Sequence, residues 1–489
     1  MHQRDPTRCC SGPAPSATSR REFLAGQALG IGGVALACLL GEQNLLAEVP
    51  AKPHDRQPGD LHAREPQFPA QAKAMISLFM HGGPSHVDLL DPKPELTRLH
   101  GERLPASFGP VKTRRAVDKN KLLASRRKFK RHGRSGIEVS DWFPKIGERI
   151  DDICLLRGCK GDSVTHPESV YLMNTGSVLM GRPSLGAWAA YGLGSENRNM
   201  PAFVVLPDPG GWPKGGAPAW SNGFLPATFQ GTVIRGGAAP IPNLPNPPGV
   251  ANAQQRRTLD FIAESNRDHL AGRDDDSDLP ARIAAYELAF RMQSHAPDVV
   301  ELSKETEATN RLYGLDRQET AEFGTRCLLA RRMAERGVRF IQIYCGDTNG
   351  WDAHSDLEAN HGRLCLQSDG PIAGLLSDLK QRGLLEDTLV VWGGEFGRTP
   401  MAEGTNGRDH NPHGFSMWLA GGGVKGGQVL GATDAVGLRA AESIAHVHDV
   451  HATILHLLGF NHLRLTYRHN GRSERLTDNA GSVLEQVIA

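Results

Sequence analysis

Six short apolar runs constrain the fold of this chain most strongly, because they are continuous and do not alternate with polar residues. They are residues 75–80 (MISLFM), 153–156 (ICLL), 203–206 (FVVL), 338–344 (VRFIQIY), 388–392 (TLVVW) and 416–420 (SMWLA). Such runs are typical of strands buried on both faces, as in a parallel sheet covered by helices.

Helical periodicity lies between these runs, at residues 281–294, 298–312, 319–336, 366–383 and 443–459. Strands that alternate with helices predict an α/β fold, a three-layer sandwich around a mostly parallel, doubly wound sheet. The composition agrees: 39% of the 489 residues are hydrophobic, enough for a packed core, and only 6% are aromatic.

The N-terminus carries an export signal. Residues 19–24 (SRREFL) form a twin-arginine signature, and a glycine-interrupted apolar stretch follows to Leu40. We predict a signal peptide over 1–47, a linker over 48–69 and one domain over 70–489, exported through the twin-arginine machinery to the periplasm or the medium. Lipid attachment at Cys38 and a membrane anchor are the alternatives, although a span needs about 20 uninterrupted apolar residues.

Charge and cysteine content exclude two classes of protein. Lys and Arg total 55 and Asp and Glu total 54, and this balance argues against a nucleic-acid binder, which is usually basic. Removal of residues 1–47 leaves five of the eight cysteines, an odd number without a C-x-x-C zinc pattern. We therefore expect buried, free cysteines and no disulfide framework.

Two insertions interrupt the α/β pattern. Residues 112–134 carry eleven Lys and Arg and one acid, and we interpret them as a solvated, mobile excursion rather than a site for an anionic polymer. Residues 207–249 are rich in Pro and Gly and contain Trp212, Trp220 and Phe224. These aromatic residues could stack on a sugar or hold the loop in place, and the sequence does not separate the two.

Ligands of open α/β sheets bind beyond the carboxyl ends of the strands. In this chain histidines and carboxylates lie next to the ends of the predicted strands. They are His81, Asp88, Asp352, His354, Glu395, His410 and His413. Such side chains suit zinc, calcium, magnesium or manganese, and we predict that they hold a divalent ion. Arg398 could pair with a bound anion through its planar guanidinium. Asp88 could alternatively orient His81 or His86.

Several motifs resemble a known family. They are MHGGPSHVDLLDPKP (80–94), THPESVYLMNTG (165–176), GRPSLGAWAAYGLGS (181–195), WGGEFGRTP (392–400), GRDHNPHGFSMWLAGGGVKGG (407–427), ATILHLLGF (452–460) and RLTDNAG (475–481). They are similar to a secreted family catalogued as domain of unknown function 1501, which is often placed with alkaline phosphatases and sulfatases. The resemblance implies an alkaline-phosphatase-like fold.

The more distant resemblance to sulfatases implies roles for particular residues. Thr175 and Gly176 resemble the end of the sulfatase nucleophile motif, and counting back ten residues from Gly176 places the nucleophile at His166. His166, or a hydroxyl beside it on Thr165, Ser163 or Ser169, would be the nucleophile or general acid. Glu395 and Phe396 replace an Asp-His metal pair, and His81 replaces an aspartate.

The sequence therefore predicts an exported, metal-dependent hydrolase of sulfate or phosphate esters, acting on a small-molecule or polysaccharide substrate. The alternative is a sulfatase-like protein that has lost its nucleophile and binds an anionic polysaccharide through the basic insertion and the Trp-bearing loop. A phosphoryl mutase is a third possibility on this scaffold, and export disfavours it.

Overall fold

The computed structural model describes residues 61–235, 241, 246, 248–270 and 278–489. The predicted signal peptide 1–47, Cys38 and residues 48–60 of the predicted linker lie outside the described residues. Among the described helices, none is both long enough and apolar enough to cross a bilayer.

The strands alternate with helices along the chain. The strands are β1 (Ala74–Met80), β2 (Phe129–His132), β3 (Ile137–Ser140), β4 (Ile153–Lys160), β5 (Phe203–Leu206), β6 (Thr232–Val233), β7 (Phe340–Cys345), β8 (Thr388–Gly393), β9 (Gly397–Glu403), β10 (Gly407–Asn411), β11 (Phe415–Ala420), β12 (Gln428–Leu430), β13 (Ala432–Thr433), β14 (Ala440–Glu442), β15 (Ala445–His446), β16 (Tyr467–His469) and β17 (Arg472–Glu474). The helices are α1 (His86–Leu89), α2 (Pro94–Arg98), α3 (Pro144–Gly147), α4 (His166–Thr175), α5 (Leu185–Leu193), α6 (Asn252–Leu270), α7 (Asp278–Val300), α8 (Glu307–Leu312), α9 (Gln318–Glu335), α10 (Leu357–Gln381) and α11 (Val447–Leu457).

One large sheet organises the described part of the chain. Its nine strands have the order β12-β4-β11-β8-β1-β7-β5-β6, and β15 also pairs with β4. Strand β11 is antiparallel to β4 and β8, while the other pairs are parallel. All six predicted apolar runs form strands of this sheet, so the predicted mostly parallel α/β fold is confirmed.

The sheet is buried on both faces, as continuous apolar strands require. In β1, Ile76, Leu78 and Met80 face one hydrophobic core, and Met75 and Phe79 face the other. Helices α9 and α10 cover the first core, and α4, α5 and α11 cover the second. The three-layer arrangement follows from this double coverage. The five described cysteines are buried and free, as predicted.

Two helix predictions need correction. The predicted helix 298–312 is wrong, because α7 ends at Val300 and α8 begins at Glu307 after Thr306 accepts the backbone N–H of Thr309 and caps it. The predicted helix 366–383 begins nine residues too late, because α10 starts at Leu357. Its first turns bury His361 against the core, and a polar residue there weakens the apolar pattern.

The basic insertion 112–134 packs on the domain and is not a detached excursion. Val117 and Leu122 are buried in a small apolar cluster with Met401 of β9. In the second insertion, Trp220 is buried and packs 5.6 Å from the Tyr344 ring, while Trp212 stacks on Trp220 at 4.9 Å and stays exposed. The aromatic residues therefore hold this loop in place, and Trp212 also presents a free ring face.

Candidate active site

The carboxyl edge of the sheet gathers the predicted histidines and carboxylates. His81 follows β1, His166 begins α4 after β4, and Asp352 and His354 follow β7. Glu395 follows β8, and His410 lies in β10 of the β9–β10 hairpin, which connects β8 to β11. Because β11 is antiparallel, the segment that precedes it reaches the same edge as the segments that follow the parallel strands.

Asp352 is the centre of this cluster. Its Oδ2 lies 2.9 Å from His166 Nε2, and its Oδ1 lies 3.0 Å from His354 Nε2 and 3.2 Å from His410 Nε2. The ligand atoms of these four residues lie within 4.8 Å of one another, as do those of His81, His166 and Glu395. His166 therefore belongs to two overlapping donor groups.

In His166, His354 and His410, the second ring nitrogen, Nδ1, lies close to a hydrogen-bond acceptor. His166 Nδ1 lies 2.7 Å from Glu395 Oε1, and His354 Nδ1 lies 2.5 Å from Glu403 Oε2. His410 Nδ1 lies 2.7 Å from the carbonyl oxygen of Val164. Glu395 is itself held by the backbone N–H of Gly82, which lies 3.0 Å and 3.1 Å from its two oxygens. These contacts fix the orientation of the three rings.

The pKa values of the two central carboxyl groups lie below their usual range. Burial raises the pKa of Asp352, but the contacts with His166, His354, His410 and Arg398 outweigh it. Burial also raises the pKa of Glu395, but the hydrogen bond from His166 and the charges of His81 and His166 together outweigh it. Both groups are therefore carboxylates at neutral pH.

Burial has the opposite effect on two of the histidines. It lowers the pKa of His81, and it lowers the pKa of His410 to about 4. Both rings are therefore neutral at pH 7, and each has one nitrogen that carries a lone pair.

Lys214 enters the site from the long loop after β5. Its Nζ lies 2.7 Å from Asp352 Oδ2, and its backbone N–H donates to His81 Nε2 at 2.9 Å. The side chain is 28% exposed, more than Asp352 or His354, so Lys214 marks the solvent side of the cluster. Lys214 is not among the residues predicted from the sequence, because the path of its loop depends on contacts with distant segments.

Arg398 lies beside Asp352 and is buried away from solvent. Its Nη2 donates to Asp352 Oδ1 at 2.8 Å, and the guanidinium also donates to the carbonyl oxygens of Gly82, Gly83, Trp351 and Arg408. The guanidinium is fully buried. The predicted pairing with a bound anion is therefore replaced by a positioning role toward Asp352.

Asp88 and His413 are not brought into the cluster. Asp88 pairs with Arg408 at 2.8 Å and accepts the Ser85 hydroxyl at 2.5 Å, so it orients neither His81 nor His86. His413 lies beyond the end of β10, and its Nε2 contacts the carbonyl oxygen of Lys112 at 3.1 Å. Strand β10 ends at Asn411, and only His410 faces Asp352.

The predicted hydroxyl nucleophiles interact with one another beside α4. Thr165 precedes the helix, and its Oγ1 lies 3.2 Å from Ser163 Oγ. Ser163 also donates to Glu168, and Ser169 donates to the carbonyl oxygen of Ser163. Among the described residues, the side-chain contacts of Thr165 go to this group and not to Asp352.

Two further carboxylates near the cluster, Glu403 and Asp409, were not predicted from the sequence. Glu403 orients His354 and also pairs with Arg115 at 3.0 Å. Asp409 accepts the backbone N–H groups of Arg115 and His410. Because these contacts join the basic insertion to the β9–β10 hairpin, only the folded chain reveals them.

Most of the chain matches the model of one protein family. Residues 72–488 match the model described as Protein of unknown function (DUF1501). The chain belongs to this family. No curated protein matches the sequence of this family member.

Solved structures similar to this DUF1501 protein include hydrolases. PsFucS1 sulfatase from Pseudoalteromonas sp. is 12% identical, with a TM-score of 0.33, over 91% of this chain and 76% of that one. The phosphonate monoester hydrolase from Silicibacter pomeroyi is 13% identical, with a TM-score of 0.31, over 65% and 68%. A TAB5 alkaline phosphatase mutant is 10% identical, with a TM-score of 0.28, over 72% and 91%. At these TM-scores the chemistry of the site is argued from the residues of the Asp352 cluster alone.

Proposed function

We propose that this DUF1501 protein is an exported, metal-dependent hydrolase of sulfate or phosphate esters. The observation that carries the proposal is the position of Asp352, whose two oxygens lie within 3.2 Å of an Nε2 atom from each of three histidines. A carboxylate and several imidazoles at the carboxyl edge of an α/β sheet are suited to metal-assisted hydrolysis.

The donor set fits a divalent metal ion. His166 Nε2 is buried and lacks a hydrogen-bond partner among the described residues, although Asp352 Oδ2 lies 2.9 Å away. The residues that would hold the ion are Asp352, His166, His354 and His410. Three imidazoles favour zinc over calcium, magnesium and manganese, which are better suited to oxygen ligands. When bound, such an ion supplies Lewis acidity toward a sulfuryl or phosphoryl oxygen.

Cationic side chains around the cluster support an anionic substrate. Lys214 reaches Asp352 from the solvent side, and Arg115 pairs with Glu403 behind His354. Glu168 lies in the first turn of the helix that begins at His166, and hydrogen bonds from Ser163 and Thr165 lower its pKa, with smaller contributions from the charges of Arg114 and Lys112. A sulfate or phosphate ester would therefore meet positive charge on its approach.

The protein side chains have distinct tasks in this proposal. Arg398 holds Asp352, and Glu395 holds His166, so the geometry favours His166 as a ligand rather than as the nucleophile or general acid. The Lys214 ammonium would neutralise a substrate oxygen. His81 is neutral, and its Nε2 accepts the backbone N–H of Lys214, so it holds the loop that presents the ammonium.

Turnover before and after metal removal tests this function. The purified protein is assayed with 4-nitrophenyl phosphate and 4-nitrophenyl sulfate, then after chelation, and again after zinc or manganese is restored. We expect hydrolysis of at least one ester, its loss on chelation and its recovery with metal. Asp352→Asn should be inactive, while Lys304→Met, at an exposed residue, should not differ from the native protein. A metal-loaded protein inert on both esters would contradict the proposal.

Export is a separate part of the proposal and rests on residues 19–24. Replacing both arginines, Arg20→Lys with Arg21→Lys, should leave the folded protein in the cytoplasm. Periplasmic recovery of the double variant at the native level would contradict twin-arginine export.

Binding without turnover is the second candidate function, and the exposed basic insertion supports it. Lys119, Lys121, Lys128 and Arg131 are exposed on this segment. Retention of a sulfated polysaccharide without turnover, unchanged by His410→Ala, would favour this function over hydrolysis.

A further inference from the structure

The three histidines around Asp352 share one hydrogen-bonding pattern. The Nδ1 atoms of His166, His354 and His410 face Glu395, Glu403 and the Val164 carbonyl, respectively. A carbonyl oxygen and an ionised carboxylate can only accept a hydrogen bond. Each ring must therefore carry a proton on Nδ1.

The three Nε2 atoms are then left with lone pairs that point at another acceptor. They lie 2.9, 3.0 and 3.2 Å from the oxygens of Asp352. A second proton on every ring would gather three imidazolium ions, Arg398 and Lys214 around one carboxylate. A bound cation removes the conflict, because the lone pairs and the carboxylate can all face it.

His81 and Glu395 have different partners. His81 Nε2 accepts the backbone N–H of Lys214 at 2.9 Å, so its lone pair is already used. Glu395 accepts from the Gly82 N–H and faces His166 Nδ1. His81 and Glu395 therefore lie beside the proposed metal ligands and do not form a second metal site with them.

We propose that each chain binds one metal ion, through Nε2 of His166, His354 and His410 and through Asp352. Glu395 and Glu403 orient two of the ligands, and His81 does not bind the ion. The inference depends on one part of the proposed function, namely that the protein binds a metal ion. It adds the number of ions and assigns each residue as a ligand or as a partner of a ligand.

Cobalt titration of the metal-free full chain tests the assignment without any assay of turnover. Elemental analysis gives the number of Co²⁺ ions bound, and visible absorption reports the coordination. We expect one ion per chain and the strong absorption bands of a four-coordinate site. His354→Gln, which changes a half-buried ligand, should abolish these bands.

Matched variants separate ligands from their partners. His81→Gln should leave the Co²⁺ affinity within about threefold of the native value. Glu395→Gln and Glu403→Gln should retain one ion and weaken binding about 10- to 100-fold, the range expected when the partner of a metal-bound histidine is lost. Circular dichroism of each metal-free variant identifies any that fail to fold.

Two Co²⁺ ions bound by the native chain would overturn the assignment. It would also be overturned if His81→Gln lost the Co²⁺ absorption bands as completely as His354→Gln. Absence of Co²⁺ binding by the native chain would overturn it as well. One bound ion with no ester turnover would support the assignment and contradict the hydrolase function, so the two failures are distinguishable.

Discussion

Arg398 and Asp352 form a fully supported ion pair beneath the donor cluster. Arg398 Nη2 lies 2.8 Å from Asp352 Oδ1, and Nε donates to the Gly83 carbonyl at 2.9 Å. The planar guanidinium thus joins the turn after β1 to the loop after β7. It fixes the carboxylate on which the proposed metal site depends.

Arg398→Lys should weaken this support while it keeps the charge. An ammonium cannot reach the same set of carbonyl oxygens, so buried acceptors lose their partners at a cost of about 1–3 kcal/mol each. We expect a lower free energy of unfolding and a Co²⁺ affinity reduced about 10- to 100-fold. Denaturant titration and cobalt titration measure the two effects. Arg363→Lys, at an exposed site, is the control, and equal behaviour of the two variants would argue against the positioning role.

Lys214→Met should separate substrate binding from metal binding. Loss of the ammonium removes a charged contact to the ester oxygens, worth about 1.5–3 kcal/mol, and should raise KM for 4-nitrophenyl phosphate at least about tenfold. The Co²⁺ affinity should not fall, because the ammonium repels a cation at Asp352. Steady-state kinetics at saturating metal, with Lys214→Arg as the conservative variant, measures the change. A KM that stays at the native value would remove Lys214 from substrate binding.

Gly350→Ala should displace the loop that carries Asp352. Gly350 has φ of +53°, and an added Cβ would lie 2.0 Å from the carbonyl oxygen of His81. The adjacent Trp351 N–H donates to that same oxygen at 2.8 Å, so the loop cannot shift without breaking its attachment to the end of β1. We expect a loss of about 2–4 kcal/mol in unfolding free energy, together with weaker Co²⁺ binding.

Gly362→Ala is the matched control for this prediction. Gly362 lies within α10, and the nearest atom to an added Cβ is Trp142 Nε1 at 3.7 Å, an ordinary van der Waals contact. Alanine should stabilise this position by about 0.5–1 kcal/mol through its higher helix propensity. If both alanine variants were equally stable, the close approach at Gly350 would not constrain the loop.

Continuous apolar runs revealed the strands because burial on both faces leaves a strong local signal. The edge at which those strands end then indicated His81, Asp352, Glu395 and His410 as neighbours. The same reasoning failed for His413, because the end of β10 at Asn411 decides which histidine faces Asp352. Sequence spacing does not determine where a hairpin strand stops pairing.

Lys214 was not predictable for a related reason. The path of its loop depends on distant contacts, among them the hydrogen bond from the Tyr171 hydroxyl to the Gly215 carbonyl and the stack of Trp212 on Trp220. Glu403 likewise reaches His354 only because β9 folds back on β10. Groups that orient the proposed ligands come from remote segments, whereas the proposed ligands lie near the ends of the sheet strands along the chain.

His361 should make the protein sensitive to acid. Burial lowers the pKa of His361 to about 3, and its Nε2 accepts the Ser85 N–H at 3.0 Å. Below about pH 6.5 the unfolded state binds a proton that the native state excludes, so stability falls as the pH decreases from about 6.5 to about 3. The loss attributable to this residue is at most about 1.4 kcal/mol per pH unit.

His361→Gln keeps a hydrogen-bond acceptor and does not titrate, so the pH dependence of its unfolding free energy should be shallower across this window. Denaturant titrations at several pH values measure the slope in the metal-free protein. His295→Gln, at an exposed histidine, should retain the native slope. Identical slopes in the native protein and in His361→Gln would show that another group causes the acid sensitivity.

Anomalous diffraction from zinc-loaded crystals tests the metal centre most directly. The account predicts one strong peak at the zinc edge, about 2.0–2.2 Å from Nε2 of His166, His354 and His410 and from an oxygen of Asp352. A peak placed instead between His81 and Glu395, or no peak at the carboxyl edge of the sheet, would contradict it.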